Sequence, residues 1–207
     1  MPEALQTLID SVTPIVLCGG RSSRFGSDKL RFPLRTGPGF VGGSEWLIDR
    51  PVSALRSVFG NRVMLVGSHH PDLSERADGE LTDLWPGKGP LGAIVSAFEA
   101  LKPSASSIFV LSGDLPGVSP RTVRAILAAF AANTSVAAVL AKTSMIQPCT
   151  GIYTQTAMSY LGPHVNAERS PPLHSMVPAA ARTLVEFPDA ELRGVNRPED
   201  LLPADFE

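Results

Sequence analysis

A chain of 207 residues with 43% hydrophobic residues can build one domain with a sizeable core, and the reading is a single domain over residues 1–207. Its 18 Lys and Arg against 20 Asp and Glu give a formal charge of -2, which offers no whole-protein field for gathering a polyanion and argues against nucleic acid as a partner. Cys18 and Cys149 show neither CxxC nor zinc spacing and read as free thiols, and no stretch resembles a signal peptide or the ~20 apolar residues of a membrane span, so the expected location is the cytoplasm.

In chain order the apolar runs are "PIVLC" (14–18), "RVMLVG" (62–67), "SIFVLSG" (107–113), "SVAAVLA" (135–141), "GIYT" (151–154) and "TLVEF" (183–187). Their length and β-branched content predict strands. Helices are predicted between them. One near 45–59 presents Ile48, Val52, Leu55 and Phe59 on one face, and Pro51 inside it must kink it or shift its start. Leu91, Ile94, Val95 and Phe98 mark a second, and Val123, Ile126, Leu127 and Phe130 a third, with Ser119 as its cap and Pro120 at its first position.

Strands alternating with helices predict an α/β fold: a three-layer α/β/α, Rossmann-like arrangement around a mainly parallel sheet, because parallel neighbours need crossovers that cover both faces. Ligands in such sheets sit at the carboxyl ends of the strands. Directly behind the first predicted strand stands "CGGRSSRFGSDK" (18–29), where Gly19, Gly20 and Gly26 let backbone N–H groups approach an anion. Ser22, Ser23, Arg24 and Lys29 add donors and positive charge. At 4 Å and an effective dielectric near 20, a unit charge pair is worth about 4 kcal/mol, enough to matter against a polyphosphate. The spacing is not that of a P-loop, and the GxGxxG at "GPGFVG" (37–42) follows a charged, Pro-broken segment and reads as chance.

The segment "LCGGRSSRFGSDK" resembles the LAGGxSxRMGxDK signature of the MobA-like nucleotidyltransferases. The likeness continues through "LTDLWPGKGPLGAI" (81–94), "LSGDLPGVSP" (111–120), "QPCTGIY" (147–153), "AERSPPLHSMV" (167–177) and "GVNRPEDL" (194–201). It implies transfer of GMP from GTP to molybdopterin with release of pyrophosphate, with Mg²⁺ as cofactor and GTP and molybdopterin as small-molecule partners. It also implies roles for particular residues. Leu17, Cys18, Gly19, Gly20, Ser22, Gly26, Lys29, Asp83 and Asp114 would bind the nucleotide. Arg24, Lys29 and Asp114 would serve catalysis, Asp114 as the metal ligand, and Gln147, Arg169 and Asn196 would face the acceptor.

Plainer readings stand beside these: the glycines can merely reverse the chain in a solvated turn, Asp114 can open the turn before Pro116, Asp83 can be an exposed residue of a turn, Asn196 can serve the turn before Pro198, and Gln147 and Arg169 can be surface residues. Two neighbouring Gly after the first strand favour GTP over CTP within the family pattern. Cys18 and Phe25 replace the family's Ala and Met, and "RFPLRTGPGFVGGSEW" (31–46) is longer than its usual link. A cytidylyl or sugar-phosphate nucleotidyltransferase, or a nucleotide-binding protein without catalysis, remain the alternatives.

Overall fold

A computed structural model describes residues 3–19, 28–37, 41–67, 71–102 and 106–206. In chain order the elements are α1 (Glu3–Ser11), β1 (Val12–Leu17), β2 (Pro33–Thr36), β3 (Ser44–Trp46), α2 (Asp49–Phe59), β4 (Met64–Val66), α3 (Pro71–Ser74) and β5 (Gly79–Leu81). There follow α4 (Gly89–Leu101), β6 (Ser107–Ser112), α5 (Pro120–Ala132), β7 (Ala138–Lys142), β8 (Ile146–Thr154), α6 (Met158–Val165), α7 (Leu173–Met176) and β9 (Arg182–Glu186). Short 3₁₀ turns join several of them.

Seven strands form one sheet in the order β5-β4-β1-β6-β8-β7-β9. All six predicted strands are in it. β5, β4, β1 and β6 are parallel neighbours, β7 and β9 pair in parallel, and β8 alone runs against both β6 and β7. The reversal has a local cause. Only three residues separate β7 from β8, the Thr143 N–H donating to the Met145 carbonyl at 2.9 Å, and a connection that short joins only antiparallel strands. The sheet is therefore mainly parallel, with one inverted strand.

Period-2 alternation sends the two faces of the central strands into separate cores. Val12, Val16, Phe109 and Leu111 pack with α2 and α5, while Ile15, Leu17, Ile108 and Val110 pack with α4 and α6. The predicted helix faces are all buried in these two layers. Each fully buried aliphatic or aromatic side chain contributes roughly 1.5–3 kcal/mol to this three-layer arrangement. Pro51 shifts the start of α2 to Asp49, so the proline falls in the first turn, where no intrahelical donor is needed. Among the described residues no helix is long and apolar enough to cross a membrane.

The sequence reading names neither the helices α1, α3, α6 and α7 nor the strands β2, β3 and β5. β5 is a three-residue edge strand around Gly79, too short to show periodicity. The segment 31–46 folds into a two-stranded antiparallel ribbon of β2 and β3, separate from the main sheet. The GxGxxG at 37–42 lies in the connection between these two strands, part of it outside the described residues, which agrees with its reading as chance.

Candidate active site

Five of the predicted residues line one small cavity. Leu17, Cys18, Gly19, Lys29 and Asp114 surround about 40 Å³ at the carboxyl end of β1 and β6, together with Leu30, Ser112 and Gly113. Gly20, Ser22, Arg24 and Gly26 lie outside the described residues, as do His69 and His70.

The positions follow from local structure. β1 ends at Leu17, and the Cys18 N–H still donates to the Val66 carbonyl at 2.9 Å. Gly19 then meets Gly67 at the end of β4, where a Cβ on Gly67 would lie 3.3 Å from the Gly19 backbone. After the cradle, Asp28 accepts the Leu30 N–H at 3.2 Å and so starts the 3₁₀ turn that carries Lys29. Ser112 is the last residue of β6 and Asp114 stands in the turn directly after it, within reach of the Ser112 hydroxyl.

Lys29 and Asp114 are in direct contact. The Lys29 Nζ donates to Asp114 Oδ2 at 2.5 Å and to the Val195 carbonyl at 3.0 Å. The Ser112 hydroxyl donates to Asp114 Oδ1 at 2.6 Å, and the Val195 N–H donates to the Asp114 carbonyl at 3.0 Å. With side chains 20% and 16% exposed, the pair is shielded from bulk water yet open on one side. The donor set is chemically uniform. A carboxylate, a hydroxyl and a main-chain carbonyl supply oxygen ligands only, the type a hard divalent cation takes. Among the described residues no three His, Cys, Asp or Glu side chains cluster for a metal, and Asp114 is the one carboxylate lining this cavity, its Oδ1 engaged by Ser112 and its Oδ2 by Lys29.

Both cysteines are near this site, and both are poor nucleophiles. Burial, reinforced by the Asp114 charge, pushes the Cys149 thiol up to about 12. Burial likewise raises that of Cys18. Neither is a thiolate near neutral pH.

Asp83 follows β5, two strands from β1, at the same edge of the sheet. Its Oδ1 accepts the Trp85 N–H at 3.0 Å and lies 3.2 Å from the Ser96 hydroxyl, so Asp83 shapes the turn into α4. Gln147 begins β8 beside the Asp114 turn, its Nε2 donating to Thr143 Oγ1 at 2.9 Å. Asn196 adjoins Val195, its N–H held by the Asp200 carboxylate at 2.8 Å. Arg169 is exposed in the segment after α6.

That segment faces the start of α4 across a second opening. Lys88 Nζ donates to the Ala167 carbonyl at 2.6 Å and Trp85 Nε1 to Asn166 Oδ1 at 3.1 Å. Beside these bonds lies a cleft of about 520 Å³ whose walls include Lys88, Leu91, Glu168, Ser170, Leu173 and Met176. Its volume is that of ordinary small-molecule sites.

Sequence reasoning missed Ser112 and Val195. A hydroxyl two residues before Asp114, where the predicted strand ends, was a usable signal. Val195 acts through its main chain, for which side-chain identity carries none.

A profile of the MobA-like NTP transferase domain matches residues 14–179. A "Probable molybdenum cofactor guanylyltransferase" of Chloroflexus aggregans is 31% identical over 156 residues, 71% of this chain and 67% of that protein. One of the same name from Aquifex aeolicus is 31% identical over 144 residues, 69% of this chain and 64% of that protein, so these alignments span about two thirds of the relatives' lengths. The solved structure of molybdopterin-guanine dinucleotide biosynthesis protein A from Archaeoglobus fulgidus aligns with a TM-score of 0.63 over 90% of this chain and 93% of that one, and at 19% identity it speaks for the fold. With the matched region reaching from β1 to the end of α7, and the signature lysine and strand-end aspartate in contact, the chain belongs to the MobA-like NTP transferase domain family and is a nucleotidyltransferase.

Proposed function

We propose that this chain transfers GMP from GTP to the terminal phosphate of molybdopterin. The acceptor phosphate oxygen forms a bond to the α-phosphorus, the α–β bridging bond breaks, and pyrophosphate leaves with that electron pair. The observation that carries the reading is the 2.5 Å contact of Lys29 with Asp114 beside the Gly19 turn, at the sheet edge where ligands of α/β folds collect.

The attacking group is already an anion, so no general base is needed. The protein's work is positioning and neutralisation of charge. Lys29 donates to phosphate oxygens on the leaving side, where charge develops, and the backbone at Gly19 brings N–H groups to the triphosphate without side chains in the way. Asp114 would hold Mg²⁺, with Ser112 orienting its carboxylate; when bound, the ion supplies charge neutralisation to the phosphates. Arg24, in the signature loop, adds a second cation. Gly19 with Gly20, and Asp83 through its second carboxylate oxygen, favour guanine over cytosine. The cleft between α4 and the 166–176 segment, with Lys88, Glu168 and Ser170 among apolar side chains, would take the pterin and its phosphate, and Arg169, Gln147 and Asn196 would serve the acceptor. A reaction of this kind, consuming GTP, belongs in the cytoplasm.

The test is incubation with molybdopterin, Mg²⁺ and GTP, CTP or ATP, reading pyrophosphate and dinucleotide. GTP is the expected donor, and a clear CTP preference overturns the base assignment. Asp114→Asn is expected to remove metal-dependent transfer with the fold intact. Lys29→Ala is expected to lower kcat/KM by about 10²–10³-fold, the scale seen when one preorganised charge-stabilising donor is lost. Unchanged turnover in both variants would overturn the mechanism.

A further inference from the structure

The β2–β3 ribbon and the chain leaving it hold both the turn that carries Lys29 and the residue whose carbonyl Lys29 meets. On one side, the chain leaving β3 holds the Lys29 turn: the Leu47 N–H donates to the Phe32 carbonyl at 3.0 Å and the Ile48 N–H to the Leu30 carbonyl at 3.2 Å. On the other side, the ribbon seats Val195, whose carbonyl receives Lys29. Leu34 of β2, Leu47 and Val195 form a small separate core, with Phe32 and Leu201 packed against it. Val195 is in no strand or helix, so this core and its N–H bond to Asp114 are what set the height of its carbonyl.

A line of charges ties the same pieces together. Buried Glu45 of β3 pairs with Arg35 at 2.5 Å and Arg50 at 2.9 Å. Arg50 donates to the Asp205 carbonyl at 3.2 Å, and the buried Asp205 carboxylate receives Arg193 at 2.7 Å. Arg193 stands two residues before Val195. The ribbon is itself pinned to the body of the protein. Trp46 lies under the Arg76 guanidinium, 3.7 Å from the ring centroid, and Arg76 pairs with Asp49 at 2.6 Å.

We infer that the β2–β3 ribbon is the positioning element for Lys29, acting through Leu34 and Leu47 on the Val195 carbonyl and through the Leu47 and Ile48 N–H groups on the Lys29 turn. A side chain with four rotatable bonds is costly to hold in one place, and a fixed carbonyl opposite a fixed carboxylate supplies the direction that the carboxylate alone does not. Leu34 is thus a positioning residue, remote from the phosphates yet felt by them. The inference rests on the assigned role of Lys29 for its kinetic consequence, but its structural part is tested without substrate.

The experiment has two arms. In the first, reductive methylation of the ligand-free protein is followed by peptide mass spectrometry, with exposed Lys102 as the internal reference. Lys29 is expected to lag Lys102 by at least about tenfold. Leu34→Ala, or the milder Leu34→Val if the first fails to fold, is expected to narrow that lag several-fold with the other lysines unchanged, and Leu34→Met to restore it. A lag that Leu34→Val and Leu34→Ala leave unaltered overturns the inference. In the second arm, Leu34→Ala is expected to cost about tenfold or more in kcat/KM for GTP in the wild-type background and less than twofold in Lys29→Ala, since coupled residues fail to add. Equal losses in both backgrounds overturn it while leaving the guanylyltransferase reading in place. Absence of transfer by the wild-type protein would overturn that reading, and the labelling arm would still decide the positioning.

Discussion

Gly113, between Ser112 and Asp114, has no room for a side chain. A Cβ there would lie 3.0 Å from the Leu17 carbonyl oxygen and 3.1 Å from Leu30 Cδ2, and the Gly113 N–H already donates to that carbonyl at 3.0 Å. Leu30 sits next to Lys29, so a methyl at Gly113 pushes on both halves of the site at once. Gly113→Ala is expected to cost about 1–3 kcal/mol of stability, as overpacking in a filled interior does. Denaturant midpoints check the first effect. A loss in kcat/KM larger than that of an equally destabilising core variant checks the second. The Lys29 pair behaves differently. Removing Asp114 takes the carboxylate from a partly buried ammonium, whereas Asp114→Asn keeps an oxygen acceptor in place, which is why the amide variant is the cleaner probe of metal dependence.

At the scale of elements, the site depends on how closely β1 and β4 bring their ends together. Gly67 closes β4 at φ +76°, a left-handed backbone that other L-residues adopt at a cost of roughly 1–2 kcal/mol. Its Cα faces the Gly19 backbone, and Asp83, just past β5, lies against the same point. Gly67→Ala is therefore expected to destabilise the fold by about 1–3 kcal/mol and to weaken GTP binding. Isothermal titration of GTP tests it, and unaltered affinity would separate Asp83 and the β4 end from the nucleotide site. The short β7–β8 connection belongs to the same scale. By inverting β8 it brings the start of that strand, with Gln147 and Cys149, to the edge where Asp114 sits, although β8 runs the opposite way to its neighbours.

Over the whole molecule, the two thiols, Cys18 buried and Cys149 half-buried, set a pH limit. An unfolded Cys ionises near about 8.5, while folded Cys149 keeps its proton up to about 12. The native state then binds the extra proton, so this contribution is complete below about 8.5 and is lost as pH rises toward 12, at about 1.4 kcal/mol per pH unit for one proton. Cys18 acts in the same direction. Urea midpoints measured between pH 8.5 and 11 are expected to fall, and Cys149→Ala is expected to make that fall shallower. An identical slope would mean that Cys149 ionises as readily folded as unfolded. The continuous seven-stranded sheet also predicts that the chain unfolds in one cooperative transition, visible as coincident melting by two spectroscopic probes.

The strands, the three amphipathic helices and the order of layers were written in local patterns: apolar runs of strand length, a 3.6-residue stripe, a proline that moves a helix start. That Lys29 and Asp114 stand at one edge of the sheet was equally legible, because a place shortly after a predicted strand is read from chain order alone. The inverted strand followed from a connection length that is plain only once the boundaries of β7 and β8 are known. Packing alone decided the rest. The contact between Lys29 and Asp114, 85 positions apart, the carbonyl of Val195 as their third partner, and the ribbon that holds it depend on which distant segments bury their leucines together. A main-chain oxygen has no letter in the sequence, and only folding gives it an address.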